Sequence, residues 1–136
     1  MGKREIMQIV NKHWRMYHIN GMSPIHTIRR NVIFISVANS IEHELEKTRV
    51  CWELRSMNHE FITEAVDNKT GLRRDIVDLN TGIVIEVETT PERALRFLDE
   101  STLGNAKKVI IRPCGWSFTD AKWIQLKEKH LKEKDI

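Results

Sequence analysis

Residues 73–89 constrain the fold of this chain more than any other segment. Two short runs rich in β-branched residues, 75–79 (DIVDL) and 83–89 (IVIEVET), flank Asn80-Thr81-Gly82. Runs of this kind around turn-forming residues predict a β-hairpin. With Asn80 and Thr81 as the loop, Leu79 opposes Gly82, Asp78 opposes Ile83, Val77 opposes Val84, Asp75 opposes Glu86 and Arg73 opposes Glu88. Directly opposed side chains share a face, and alternate residues of one strand do too. The register therefore gathers Asp75, Glu86 and Glu88 on one side of the hairpin. Asp78 falls near the turn with Ile83, Ile85 and Val87 on the other.

Carboxylates set against each other across a ladder repel, at a cost of about 1 kcal/mol or less per pair, unless something neutralises them. A divalent cation does so. Hard oxygen ligands from a few carboxylates, completed by water and phosphate oxygens, suit Mg²⁺, and Mn²⁺ can substitute. The spacing alone equally fits acids on a solvated sheet face held by a basic neighbour such as Arg73.

Around the hairpin the pattern is mixed α/β. Ile6, Ile9, Val10, His13, Trp14 and Tyr17 fall at helical spacing near the N-terminus. Asn20-Gly21 and Ser23-Pro24 then break the chain, and residues 32–37 read as a strand. Asn39, with Glu42 three residues on, predicts a capped helix running to about Asn58, with Ile41, Leu45, Trp52 and Leu54 as its apolar side. Residues 61–66 read as a strand and 68–71 as a turn. Thr90-Pro91-Glu92 starts a further helix that ends near Gly104, because Thr caps free amides, Pro suits the first turn and Glu complements the dipole. Residues 108–112 form another strand, which Pro113 and Gly115 break, and the segment beyond Ser117 is a Lys- and Glu-rich helix. The order is helix, strand, helix, three strands, helix, strand, helix.

At 136 residues and 40% hydrophobic content, the expectation is one domain spanning 1–136. No apolar run is long enough to span a bilayer, and the N-terminal residues lack the apolar centre of a secretory signal. A cytoplasmic location with no membrane partner is expected. Cys51 and Cys114 have no neighbouring cysteine, so neither a disulfide framework nor a zinc knuckle is indicated. A net charge of +3 with pI near 9.0 mildly favours an anionic partner.

Arg74-Asp75-Ile76-Val77, a tight turn, then Ile85-Glu86-Val87-Glu88 resembles the PD-(D/E)XK motif of the restriction-endonuclease-like nucleases. The order of elements over residues of about 39–112 is similar as well. In style it resembles small stand-alone archaeal and viral nucleases, Holliday-junction resolvases among them. The resemblance implies a restriction-endonuclease-like α/β core: a mixed central sheet of antiparallel hairpins, a crossover helix to a further strand, and flanking helices at both termini. It implies Mg²⁺ or Mn²⁺ as cofactor, DNA, including branched DNA, as substrate, and a homodimer as the assembly. Asp75 matches the bridging metal ligand, Glu86 the second acid, and Glu44 the acid on the preceding helix. Two positions depart from the motif. Arg74 stands where Pro is usual, and Glu88 stands where a catalytic Lys is expected. Lys47, three residues after Glu44, and Arg73 across the strands are candidates to supply the missing positive charge, or equally to be salt-bridge partners.

Within that resemblance Glu44, Lys47 and Glu88 are the catalytic candidates, and Asp75, Glu86 and Glu88 the metal ligands. Arg29, Arg30, Arg73 and Arg74, with Lys107 and Lys108, form the expected phosphate-contacting surface. His43 adjoins Glu44 but reads as a surface or capping residue of the first helical turn. Trp14, Tyr17, Trp52 and Trp123 read as packing residues rather than base-stacking ones. The lysines beyond residue 120 alternate with acids and read as a solvated face. There is no Gly-rich phosphate loop and no nucleophile motif. Three readings stand: a metal-dependent deoxyribonuclease; a nucleic-acid-binding or assembly protein on the same fold without catalysis, to which Glu88 points; or a protein with no nucleic-acid role whose acidic hairpin is ordinary surface.

Overall fold

The computed structural model describes residues 1–87 and 108–110. The predicted helix from Thr90, the predicted C-terminal helix, Glu88 and Lys107 lie outside the described residues. In chain order the elements are α1 (Lys3–Trp14), β1 (Tyr17–Ile19), α2 (Ile41–Ser56), β2 (Phe61–Asp67), β3 (Arg73–Asp78), β4 (Ile83–Glu86) and β5 (Lys108–Ile110). The strands form one sheet in the order β1-β2-β3-β4-β5. The first four are antiparallel neighbours, and β5 runs parallel to β4. A mixed sheet of antiparallel hairpins and one parallel addition is thus present, as expected.

The hairpin has the predicted register: Ile76 opposes Ile85, Val77 opposes Val84 and Asp78 opposes Ile83. Its turn differs from the predicted two-residue loop. Residues 79–82 all belong to it. The Gly82 amide donates to the Asp78 carbonyl and Asp78 Oδ1 accepts from the Asn80 amide at 3.0 Å. Gly82 has φ +76, and a Cβ there would come within 2.8 Å of His13 Nε2. The turn at 68–71 also forms, with Asp67 Oδ1 accepting from the Lys69 and Thr70 amides and Gly71 at φ +72.

Two predicted elements are corrected. The N-terminal helix stops at Trp14, and Tyr17, which shares its apolar spacing, begins an edge strand instead. Tyr17 opposes Asp67 and Ile19 opposes Ala65, and both routes bury the phenol, which is 2% exposed. Residues 32–37 are irregular rather than a strand. Their polar groups are met chiefly by side chains: Thr63 Oγ1 donates to the Val32 carbonyl at 3.0 Å and accepts from the Phe34 amide at 2.9 Å. One threonine thereby meets a donor and an acceptor that a sheet ladder would have met.

One group of core residues comprises Val10, Tyr17, Ile28, Ile62, Ala65, Val77 and Leu79, with Ile6, Trp14 and Ile19 against it. Trp14 packs as expected and donates from its indole to the Ile28 carbonyl at 2.5 Å. Burial, and next the nearby Asp67 charge, push the Tyr17 phenol up to about 12 from 10. The folded state therefore keeps this proton at a pH where the unfolded chain has lost it. Unfolding free energy is expected to fall by on the order of 2–3 kcal/mol as pH rises from about 10 to 12. The buried Cys51 thiol, also pushed up to about 12 by burial, acts with the same sign. Urea melts across this range check the expectation. A Tyr17→Phe variant should lose part of the decline, and a pH dependence identical to the parent's would refute the phenol's share.

α2 is capped one residue later than predicted. Ser40, not Asn39, accepts from the His43 amide at 3.2 Å through its hydroxyl. At its other end Asn58 takes a left-handed φ of +62, and the His59 amide returns to the Leu54 carbonyl at 2.9 Å. The expected apolar side is also corrected. Leu54 is buried, but Ile41, Leu45 and Trp52 are exposed, and the buried side carries Glu44, Glu46, Lys47, Val50 and Cys51. Helical periodicity finds a row of apolar residues, yet this helix turns its charges inward because the sheet offers them partners.

Candidate acidic site on the sheet

β3 and β4 set Asp75 and Glu86 on opposed positions, since the observed pairs continue one step to bring them together. β2 adds a third acid. Between the pairs Thr63–Ile76 and Ala65–Arg74, Glu64 stands opposite Asp75. α2 brings His43, Glu44 and Lys47 to the same place.

The contacts form two linked networks. His43 bridges two carboxylates, with Nδ1 3.1 Å from Glu44 Oε1 and Nε2 3.2 Å from Asp75 Oδ2. Asp75 Oδ2 also accepts from the Val87 amide at 2.9 Å. Lys47 is fully buried, and its ammonium reaches Glu44 Oε2 at 2.6 Å, Glu64 Oε1 at 3.0 Å and the Phe34 carbonyl at 2.6 Å. Arg73 Nε lies 3.3 Å from Glu64 Oε2, and Asn39 donates to Glu44 Oε1 at 2.8 Å.

These contacts set the protonation states. Burial raises the Asp75 pKa, but the bonds from His43, Glu86 and the Val87 amide outweigh it and hold the carboxyl below its ordinary value. Glu86 goes the other way. Burial, then the Asp75 charge and their shared hydrogen bond, push it well above the carboxylate range. For His43 burial lowers the pKa, and the Asp75 and Glu44 contacts more than reverse it. Lys47 is raised in the same manner, against its burial, by Glu44 and Glu64. Glu44 is lowered despite burial, chiefly by Lys47 and Asn39.

Of the expected site residues, Glu44, Lys47, Asp75 and Glu86 come together. Arg73 borders them through Glu64. Arg74 does not join Arg73 on an exposed surface, which corrects that expectation: it is 2% exposed, and neighbouring residues of a strand point to opposite faces. Its Nε and Nη2 make no hydrogen bond, and its charge acts on Glu86, partly offsetting that acid's rise. Arg30 is engaged elsewhere, 4.5 Å over the Trp14 ring and donating to Asn11 Oδ1 at 3.3 Å. Arg29 is exposed.

Two members escape sequence reasoning. His43 follows the cap as a surface residue would, and only the pairing of α2 with β3 makes it a bridge. Glu64 has a legible signal in hindsight: it is the lone acid within FITEAV, on a strand buried along both faces, where a charge needs partners. It also holds φ +52, a left-handed conformation that costs a non-glycine residue on the order of 1–3 kcal/mol. Lys47 and Arg73 grip the carboxylate from both sides.

The fit to a divalent cation rests on the Asp75–Glu86 pair. Among the described residues no group of three or more His, Cys, Asp or Glu side chains is arranged to hold a metal. Mg²⁺ does not require one, because it commonly takes one or two carboxylates and keeps several waters or phosphate oxygens. His43 and the Val87 amide both occupy Asp75 Oδ2, which orients the carboxylate and leaves Oδ1 outside those two bonds. The two carboxyl groups are oxygen donors of the kind a hard divalent ion takes, and such an ion would have to displace the proton they share.

Among the described residues no helix is long and apolar enough to cross a membrane. Comparison with protein-family models, with curated proteins and with solved structures finds no match to this chain.

Proposed function

We propose that the chain is a Mg²⁺- or Mn²⁺-dependent deoxyribonuclease of restriction-endonuclease-like architecture, with Asp75 and Glu86 as its metal ligands. The observation that carries this reading is the chain of contacts from α2 to β3: Lys47 pairs with Glu44, His43 links Glu44 to Asp75, and Asp75 stands opposite Glu86. Two acids on adjacent strands and an acid on the preceding helix are parts that the PD-(D/E)XK resemblance calls for, with Lys47 as the candidate substitute for the lysine that Glu88 replaces. A bound divalent ion would supply a nucleophilic water at neutral pH and stabilise charge on the phosphate. His43 and the Val87 amide hold Asp75 in one orientation. Lys47 keeps Glu44 charged and holds Glu44 and Glu64 in place, and Arg73 stands at the border as an exposed cation for a phosphate. Glu88, expected as a further ligand, follows Glu86 by two positions in the sequence.

A second reading, binding without catalysis, is favoured by one observation. The Lys47 ammonium donates to Glu64 Oε1 at 3.0 Å and to the Phe34 carbonyl at 2.6 Å and is ion-paired with Glu44 Oε2 at 2.6 Å. Engaged in this way, Lys47 does not replace the lysine that the motif expects at position 88.

Incubating the protein with labelled single-stranded, duplex and branched DNA separates the two readings. The nuclease reading expects cleavage with Mg²⁺ or Mn²⁺ and none with EDTA. A folded protein that retards DNA in a gel but cuts none of the three under either ion would replace it with the binding reading.

A further inference from the structure

We propose that the outward side of α2 is a self-association surface, on which a second copy of this chain docks antiparallel across a two-fold axis. Ile41, Leu45 and Trp52 are 69%, 62% and 70% exposed. Steps of four and seven residues place them in one line along the helix. Thr48 falls in the same line, and its hydroxyl donates back to the Glu44 carbonyl at 2.9 Å, which leaves its methyl for contact. Val37, 97% exposed, precedes the row and Met57, 46% exposed, follows it. Exposed apolar residues scattered singly carry no meaning, but a row of this size on a helix that already buries Val50, Cys51 and Leu54 behind it marks a contact surface.

The charge pattern selects a second copy as the occupant. An antiparallel pairing that sets Ile41 against the partner's Trp52 also sets Leu45 against the partner's Thr48, and the two-fold repeats both contacts. The ends match too, because Val37 of one copy then approaches the partner's Met57. Glu42 and Arg49 border the row on one flank. In this register Glu42 faces the partner's Arg49 and Arg49 faces the partner's Glu42, so opposite charges meet twice. Arg49 is itself half-exposed and lies 3.6 Å from the buried Glu46. The inner side of α2 carries His43, Glu44 and Lys47, so the dimer sets two acidic sites back to back on either side of its axis. The inference does not depend on whether those sites cleave DNA.

Sedimentation velocity on the full chain over a wide concentration range tests it. The parent is expected to sediment as twice its 16.0 kDa mass. Trp52→Glu or Leu45→Glu should weaken the dimer by roughly 30-fold or more, since each sets a charge into an apolar contact that the two-fold repeats. Glu42→Arg and Arg49→Glu should each weaken it by about 3- to 10-fold, because each breaks the pair twice. The double variant Glu42→Arg with Arg49→Glu should return close to the parent. These two positions are exposed, and thermal melts show that each variant is folded. A parent that stays monomeric at every concentration overturns the proposal. A dimer indifferent to Leu45→Glu and Trp52→Glu, or a charge-swapped double that fails to recover, overturns it as well.

Discussion

Replacing Lys47 by Met is expected to lower the unfolding free energy by about 3–5 kcal/mol, the usual consequence of removing one member of a buried ion-pair network. The side chains of Glu44 and Glu64 are only 8% and 12% exposed, so neither carboxylate regains full hydration when the ammonium is lost. The Phe34 carbonyl loses its donor as well. Set against the 5–15 kcal/mol total typical of a domain, this is a large fraction. Urea unfolding of the variant measures it. Adding Glu64→Gln to Lys47→Met should recover part of the loss, because one of the two carboxylates that lost the ammonium is then replaced by a neutral amide. A loss below about 1 kcal/mol would mean that water reaches the site and that the network is effectively a surface one.

The second large effect concerns activity. If the chain cuts DNA, Asp75→Asn and Glu86→Gln should each reduce the rate by on the order of 10²–10³-fold or more, the scale on which removal of one charge-stabilising group acts. Both substitutions keep size and hydrogen-bonding capacity, so the melting temperature without metal serves as the control for folding. The parent's melting temperature should rise when Mn²⁺ is added. A metal held at a hundred times its dissociation constant contributes about 2.7 kcal/mol, and in Asp75→Asn that rise should vanish. Cleavage that persists in both variants at the parental rate would remove the acid pair from the mechanism. Loss of cleavage with the metal-dependent rise intact would make the two acids positioning residues instead of ligands.

The hairpin is legible in the sequence because its register follows from a period of two and a turn. Once Val77 is opposite Val84, the pairing of Asp75 with Glu86 is forced, and no tertiary contact is needed to derive it. Elements whose orientation depends on the neighbour they meet are less legible. Ile41, Leu45 and Trp52 mark an apolar row correctly, yet they lie away from the sheet. Residues 32–37 have strand-like composition, but Thr63 bonds their backbone. Tyr17 fits both the helix stripe and the edge strand. Only the pairing with Asp67 decides between them.

By itself, then, the sequence determined what short-range periodicity can encode: the strands of the antiparallel sheet from residue 61 onward, the places where the chain turns between them, the extent of α2 and the acid pair. Tertiary structure decided which side of α2 faces inward. Burying Lys47 and Glu44 costs desolvation that is offset only when Glu64, His43 and Asp75 are all in place. Those three are contributed by segments far apart in the chain or hidden in a helix's first turn, and no spacing rule links them. The same long-range requirement sends Arg74 under the sheet while Arg73 stays at its surface. Adjacent residues of one strand share a sequence neighbourhood but not an environment.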